Sequence, residues 1–173
     1  MTDLTRLTHF ILDVDGTMTD SGLYFDDNGN ELKRFSSRDF IGVMAAHFAG
    51  IKIMIVTGRK CPATERRAKE LRIDYLYQGV KNKKAFIEEF MRQNGIEKEN
   101  LGYIGDDLND YSAMKLSGFV TCPSDACPEI IAASDYVSKA KGGQGVVNDV
   151  FRFVLGKTDR WDAFLNYLVE IEY

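Results

Sequence analysis

Short apolar runs alternate with amphipathic segments along nearly the whole chain. Runs rich in Ile, Val, Leu, Phe and Tyr predict strands at residues 10–14, 51–56, 75–77, 101–105, 119–122 and 136–137. Longer segments between them predict helices at residues 40–48, 62–71, 83–93, 109–116, 128–132, 146–155 and 161–169. This alternation predicts an α/β fold: a doubly wound (Rossmann-like), mostly parallel sheet with helices on both faces.

The segment between the first strand and the first helix departs from this alternation. About residues 22–35, two short apolar stretches flank the turn sequence DNGN at residues 27–30, whose glycine accommodates a positive φ angle. We therefore predict a β-hairpin flap beside the first strand's end. Because a two-stranded hairpin buries little by itself, we expect its apolar residues to lie in an interface between subunits: Tyr24, Phe25, Leu32 and Phe35.

Composition limits the classes of protein that the chain can represent. Its 173 residues, 45% hydrophobic and 28% charged, fit one globular domain, 1–173. The net charge is −4 and there is no basic arm interleaved with aromatic residues, so nucleic acid is not an expected partner. The apolar runs are too short to span a membrane, and the first residues lack the apolar stretch of a signal peptide, so we expect a cytoplasmic protein.

Carboxylates gather where two of the predicted strands end. Asp13 and Asp15 follow the first apolar run, and Asp106, Asp107 and Asp110 follow the strand at 101–105. Strand ends of an open parallel sheet face one crevice, so these two acidic loops are expected to meet. Clustered carboxylates repel one another and require a cation. Oxygen ligands without His or Cys favour Mg²⁺.

Two more positions complete a recognisable set of chemical groups. Thr57 ends the predicted strand at 51–56, and Lys83 begins a predicted helix. Phosphoryl transfer uses an oxygen nucleophile, a metal ion, a hydroxyl donor and a lysine that binds the phosphoryl oxygens. The chain offers each of these at a strand end or a helix start.

The motifs, taken in order, resemble those of a known superfamily. DVDGT at residues 13–17, Thr57, Lys83 and GDDLND at residues 105–110 are similar to the four motifs of the haloacid dehalogenase superfamily of phosphatases. The resemblance implies that Asp13 is the nucleophile, forming an aspartyl-phosphate, and that Asp15 is the general acid and then the general base. Thr57 and Lys83 would bind the phosphoryl oxygens.

The resemblance also implies a metal site. Mg²⁺ would be held by the carboxylates of Asp13 and Asp106 and by the backbone carbonyl of Asp15. Asp107 would contact these metal ligands without binding the ion itself, and Asp110 would orient Lys83.

The spacing between the motifs leaves no room for the cap domain that members of the superfamily usually carry. A narrower resemblance is carried by segments outside the motifs, which are similar to the 3-deoxy-manno-octulosonate 8-phosphate phosphatase family: the hairpin, residues 57–60, 67–71, 77–79 and 142–146, and the C-terminal tail at about 157–173. The resemblance implies a homotetramer in which the hairpin and tail of one subunit cover the site of a neighbour. It also implies an eight-carbon keto-sugar-acid phosphate as the substrate.

Local charge agrees with an acidic sugar phosphate. Between Arg59 and Arg72 there are six basic residues and two acidic ones. The expected substrate-binding residues, besides Thr57 and Lys83, are Gly58, Arg59, Lys60 and Arg67. Among them, Arg59 is the best candidate for the substrate carboxylate.

Two positions depart from the family's pattern. Phe40 follows Asp39 where a glycine is usual, and Asn148 occupies the region where an arginine is usual. These departures leave a nine-carbon keto-sugar-acid 9-phosphate open as an alternative substrate.

Two other classes share part of the pattern. A phosphoacceptor signalling domain also combines Asp, Thr and Lys on a doubly wound sheet, but its phosphorylated Asp lies on a middle strand, whereas the strand at 51–56 ends in Thr57. A non-catalytic scaffold of the same fold is disfavoured because all the expected catalytic groups are present. Only an assay of turnover separates the scaffold from an enzyme.

Overall fold

The computed structural model describes residues 2–171 of the chain, so the last two residues of the predicted tail, 172 and 173, lie outside the described residues. The strands, in chain order, are β1 His9–Leu12, β2 Tyr24–Phe25, β3 Glu31–Leu32, β4 Lys52–Thr57, β5 Tyr75–Gln78, β6 Leu101–Ile104, β7 Phe119–Cys122 and β8 Tyr136–Val137. The α-helices are α1 Asp39–Phe48, α2 Pro62–Glu70, α3 Lys83–Asn94, α4 Leu108–Met114, α5 Pro128–Ala133, α6 Val146–Lys157 and α7 Trp161–Glu170.

Six of the strands form one parallel sheet in the order β5-β4-β1-β6-β7-β8. From β1 the chain first builds outward through β4 and β5, and then returns to the other side of β1 to build β6, β7 and β8. The direction of winding therefore switches at β1. In such sheets ligands bind in the crevice outside the carboxyl ends of the strands at the switch point.

The central strand explains how two cores form. Phe10, Ile11 and Leu12 are fully buried, and successive side chains of a strand point to opposite faces of the sheet. Phe10 and Leu12 pack in one apolar cluster with residues of α1 and α6, whereas Ile11 packs in a second cluster with residues of α3 and α4. Helices thus cover both faces of the sheet, as the sequence predicts.

The first strand ends two residues earlier than predicted. The backbone amide of Asp13 still donates to the carbonyl of Ile104, at 3.0 Å, but the chain then turns. The amides of Thr17, Met18 and Thr19 all donate to the carbonyl of Val14, so this carbonyl anchors the turn. Asp15 consequently lies in the turn, and Asp13 lies between the end of β1 and this turn.

The hairpin consists of two short antiparallel strands. Tyr24 pairs with Leu32 and Phe25 with Glu31. Leu23, Tyr24, Phe25 and Leu32 are each 45–60% exposed, which suits an interface. Phe35 does not follow this expectation, because it is only partly exposed and packs against the main core.

Candidate active site

The carboxyl ends of β1, β4 and β6, with the loops that follow them, converge with the beginning of α3. They bring together four residues that are far apart in sequence: Asp13, Thr57, Lys83 and Asp106. β1 lies between β4 and β6 in the sheet, so the carboxyl ends of these three strands are neighbours. The sequence prediction that the two acidic loops meet is therefore confirmed.

Lys83 lies at the centre of the site. Its side chain is 4% exposed, and its Nζ is 2.7 Å from Asp13 Oδ1 and 2.7 Å from Asp110 Oδ1. Lys83 is the first residue of α3, whose start is fixed by Asn82, a cap that accepts the amide of Ala85. Burial lowers the pKa of Lys83, but the two carboxylates outweigh burial and raise it overall. Lys83 is therefore a cation at neutral pH.

Asp110 holds several donors in place. Besides Lys83, its Oδ1 accepts from the hydroxyl of Tyr103 at 2.7 Å, and its Oδ2 accepts from the amide of Asp106 at 3.3 Å. Asp110 thus contacts Lys83 as the resemblance implies. Tyr103 was not predicted from sequence, although a buried tyrosine on a strand generally needs a partner for its hydroxyl.

Three buried or half-buried carboxylates form the part of the site that suits a metal ion. Asp13, Asp106 and Asp110 each offer an oxygen, and these oxygens lie within 4.8 Å of one another. Burial, followed by the charge of Asp110, raises the pKa of Asp13 well above its usual range and that of Asp106 to about 7. When all three carboxylates are ionised, they exceed the single ammonium of Lys83 by two negative charges, and a divalent cation would favour that ionised state by neutralising them.

Gly16 determines how closely the loop after β1 approaches Asp106. It has a φ angle of +91°, and a Cβ at this position would lie 1.9 Å from Asp106 Oδ2. The next residue, Thr17, donates its hydroxyl to Asp106 Oδ1 at 3.3 Å. A side chain at position 16 would therefore displace the carboxylate that the site needs.

Asp15 faces a different partner. Its carboxylate lies outside the three-carboxylate group and pairs with the Nζ of Lys33, which comes from the hairpin side of the site. The side chain of Lys33 is 2% exposed, and its Nζ also lies 2.9 Å from Glu31 Oε1. Lys33 was not predicted from sequence, because a single lysine in a hairpin is usually a solvated residue.

The end of β4 presents the predicted phosphoryl- and substrate-binding segment. Thr57 is buried, and its hydroxyl oxygen accepts from the amide of Arg59 at 3.4 Å. Gly58, Arg59 and Lys60 are exposed. The side chain of Lys60 lies against Gly79, and a Cβ atom at position 79 would be 2.7 Å from the Cε of Lys60.

Arg67 and Asp107 lie further from the centre. Arg67 donates to the carbonyl of Ser36 at 2.8 Å and pairs with Glu70 at 3.2 Å, so it contacts the base of the hairpin. Asp107 is exposed and accepts from the amide of Leu108 at the start of α4. Its charge contributes to the raised pKa of Asp106. Contact of Arg67 with substrate stays a prediction.

The order of the motifs, their positions at strand ends and the buried carboxylates around a lysine define a haloacid dehalogenase-like hydrolase. A sequence model of that description matches residues 76–149. The 3-deoxy-D-manno-octulosonate 8-phosphate phosphatase KdsC of Salmonella typhi is 39% identical over 162 residues, which cover 92% of this chain and 86% of that protein. The chain belongs to the family of the 3-deoxy-D-manno-octulosonate 8-phosphate phosphatases.

Solved structures agree with this assignment and confirm the predicted fold class. The phosphatase of this name from Moraxella catarrhalis, in complex with magnesium, phosphate and KDO, has a TM-score of 0.90 and 34% identity, covering 95% of each chain. The cobalt-bound phosphatase from Haemophilus influenzae has a TM-score of 0.86 and 32% identity, covering 95% of this chain and 98% of that one.

Proposed function

We propose that the protein is a Mg²⁺-dependent phosphatase that hydrolyses 3-deoxy-D-manno-octulosonate 8-phosphate to the free sugar acid and inorganic phosphate. The observation that carries the proposal is the buried group of Asp13, Asp106 and Asp110 around Lys83 in a chain of this family. The relatives named above carry this substrate in their names, and one of their structures holds magnesium, phosphate and KDO.

The donor set fits Mg²⁺. The carboxylates of Asp13 and Asp106 and the backbone carbonyl of Asp15 would hold the ion, while Asp110 is already engaged by Lys83 and Tyr103. When bound, the ion neutralises charge on the phosphoryl group. The all-oxygen donor set and its two excess negative charges support a hard divalent cation over zinc.

The first half of the reaction transfers the phosphoryl group to the protein. A carboxylate oxygen of Asp13 attacks phosphorus, the bond between phosphorus and the sugar oxygen breaks, and the departing oxygen takes the proton of Asp15. Thr57 and Lys83 donate to the phosphoryl oxygens. Lys33, beside Asp15, then stabilises the carboxylate that this proton transfer creates.

The second half restores the enzyme. Asp15 accepts a proton from a water molecule whose oxygen attacks phosphorus, and the bond between phosphorus and Asp13 breaks. Phosphate leaves, Asp13 is again a free carboxylate, and Asp15 is again protonated for the next substrate.

A homotetramer in the cytoplasm completes the proposal. The exposed apolar residues of the hairpin support an interface between subunits, because a two-stranded hairpin has no core of its own: Leu23, Tyr24, Phe25 and Leu32. The cysteines are free thiols, as is usual in a reducing compartment: Cys61, Cys122 and Cys127.

The test is phosphate release from a panel of sugar phosphates in Mg²⁺ and in EDTA. The panel contains 3-deoxy-D-manno-octulosonate 8-phosphate, nine-carbon keto-acid 9-phosphates and neutral hexose phosphates, and Asp13→Asn is the matched inactive control. Preference for the eight-carbon substrate, lost in the control and in EDTA, is expected. Preference for a nine-carbon substrate would support the same mechanism with a different substrate. The nine-carbon keto-acid 9-phosphate is the second candidate because Phe40 and Asn148 depart from the family's pattern. A folded protein that releases no phosphate would be the scaffold.

A further inference from the structure

One ion pair joins the hairpin to the predicted substrate-binding segment. Arg59 Nε donates to Glu31 Oε1 at 3.2 Å, and Arg59 Nη2 donates to Glu31 Oε2 at 2.9 Å. This is the two-pronged geometry in which a guanidinium binds any carboxylate. The side chain of Glu31 is 15% exposed and that of Arg59 is 43% exposed. Arg59 is therefore accessible to a ligand from solvent, whereas Glu31 is mostly covered by protein.

Glu31 has a second cation within reach. Lys33 Nζ lies 2.9 Å from Glu31 Oε1 and also contacts Asp15. The charges therefore alternate along a chain from the catalytic turn to the surface: Asp15, Lys33, Glu31 and Arg59. The hydrogen bonds from Arg59, with a contribution from Lys33, lower the pKa of Glu31, so the carboxylate is ionised at neutral pH.

We propose that Glu31 is a specificity-determining residue that occupies the carboxylate-binding guanidinium of Arg59 until the carboxylate of the substrate displaces it. The inference rests on the proposed function, because it takes Arg59 as the group that binds the sugar acid. Glu31 does not contact the substrate itself. It acts through Arg59, by competing for the same two N–H donors.

The exchange replaces one carboxylate on Arg59 by another of the same charge and shape. The displaced Glu31 keeps Lys33, so no buried charge is left without a partner. A ligand whose sugar carries a carboxylate can make this exchange while its phosphoryl group lies at Asp13. The phosphate ester of a neutral sugar has no second anionic group, so it leaves the pair of Glu31 and Arg59 intact, which separates phosphates of acidic sugars from those of neutral sugars.

The test compares KM and kcat for two phosphate esters, one of an acidic sugar (the acidic ester) and one of a neutral sugar (the neutral ester). The enzymes are wild type, Glu31→Gln, Arg59→Gln, the double variant, and Asp27→Asn, which removes a charge from the exposed turn of the same hairpin. The substrates are 3-deoxy-D-manno-octulosonate 8-phosphate and mannose 6-phosphate. Inhibition by the free sugar acid gives a second measure of binding at Arg59.

For Glu31→Gln we expect KM for the acidic ester to fall about fivefold, the upper end for a partly exposed ion pair. We expect kcat and the KM of the neutral ester to stay within twofold. The free sugar acid should inhibit this variant more strongly. In the Arg59→Gln background, adding Glu31→Gln should leave KM unchanged, and Asp27→Asn should match wild type.

Two results would overturn the proposal. A higher KM for the acidic ester in Glu31→Gln would mean that Glu31 assists binding, and an equal change for both esters would mean that it only supports the hairpin. A wild-type enzyme that does not prefer the acidic ester would instead refute the proposed function, so the two failures are distinguishable.

Discussion

Replacing Lys83 by Met tests the physical basis of the site most directly. Lys83 Nζ lies 2.7 Å from a carboxylate oxygen of both Asp13 and Asp110, and all three side chains are at most 4% exposed. Met retains most of the apolar stem but removes the charge. Asp13, Asp106 and Asp110 would then face one another without a cation.

The magnitude follows from this burial. Removing one partner of a buried ion pair costs about 3–5 kcal/mol of unfolding free energy, because the remaining charge is left in a medium of low polarity. For a chain of this size, each kcal/mol corresponds to about 2–4 °C in Tm, so the loss is about 6–20 °C in EDTA. Mg²⁺ should restore part of the stability, because it supplies a positive charge among the same carboxylates.

The assay is urea unfolding at pH 7.5, in EDTA and in Mg²⁺. Lys84→Met is the matched control, because the neighbouring Lys84 is 50% exposed and lies 3.6 Å from Glu88 in an exposed ion pair. This control should change stability by at most about 0.5 kcal/mol. A cost below about 1 kcal/mol for Lys83→Met in EDTA would show that the buried carboxylates do not depend on Lys83, and the reasoning would fail.

Three further predictions concern other residues of the structure. Mg²⁺ at 100 times its Kd should raise the Tm by about 5–11 °C in wild type and by much less in Asp106→Asn, as differential scanning fluorimetry would show. Tyr103→Phe should lose about 1.5–3 kcal/mol in urea unfolding, because a bond to charged Asp110 is removed; an unchanged midpoint would contradict this. Burial raises the pKa of Asp39 to about 6, so the folded protein loses stability as pH rises from about 4 to 6. Because Asn does not titrate, the unfolding free energy of Asp39→Asn should rise relative to that of wild type by up to about 3 kcal/mol between pH 4 and pH 6. Urea midpoints that change equally with pH in the two proteins would contradict this.

Rules about strand ends were sufficient to predict the centre of the site. Asp13 and Asp106 follow strands of the parallel sheet and Thr57 ends one, and the carboxyl ends of neighbouring strands open into one crevice. Lys83 begins a helix that enters the same crevice, but the choice of this lysine over its neighbours Lys81 and Lys84 depended on the motif spacing of the family that the chain resembles. The alternation of apolar and amphipathic segments was sufficient for the fold class, since the central strands β1, β4, β6 and β7 are short and mostly buried and helices cover both faces of the sheet.

Contacts made by the hairpin could not be predicted in the same way. The periodicity of residues 22–35 indicates two strands but not the direction in which the hairpin leans over the sheet. That direction brings Lys33 to Asp15 and Glu31 to Arg59. The early end of β1 at Leu12 was also missed, because Val14 extends the apolar run although its carbonyl anchors a turn.

The placement of charge separates the parts of the site that serve stability from those that serve reaction. Asp13, Asp106 and Asp110 share one lysine, and burial raises the pKa of the first two, so the folded state alone disfavours the ionised form that Asp13 needs in its proposed role as nucleophile. Apolar residues of similar volume would stabilise the fold better than an incompletely neutralised group of buried charges. The buried charges therefore lower the free energy of unfolding of the free protein, and they become favourable once a divalent cation and a phosphoryl group bind among them. For this reason, removal of the metal and removal of Lys83 should both be visible in the unfolding free energy, even where no turnover is measured.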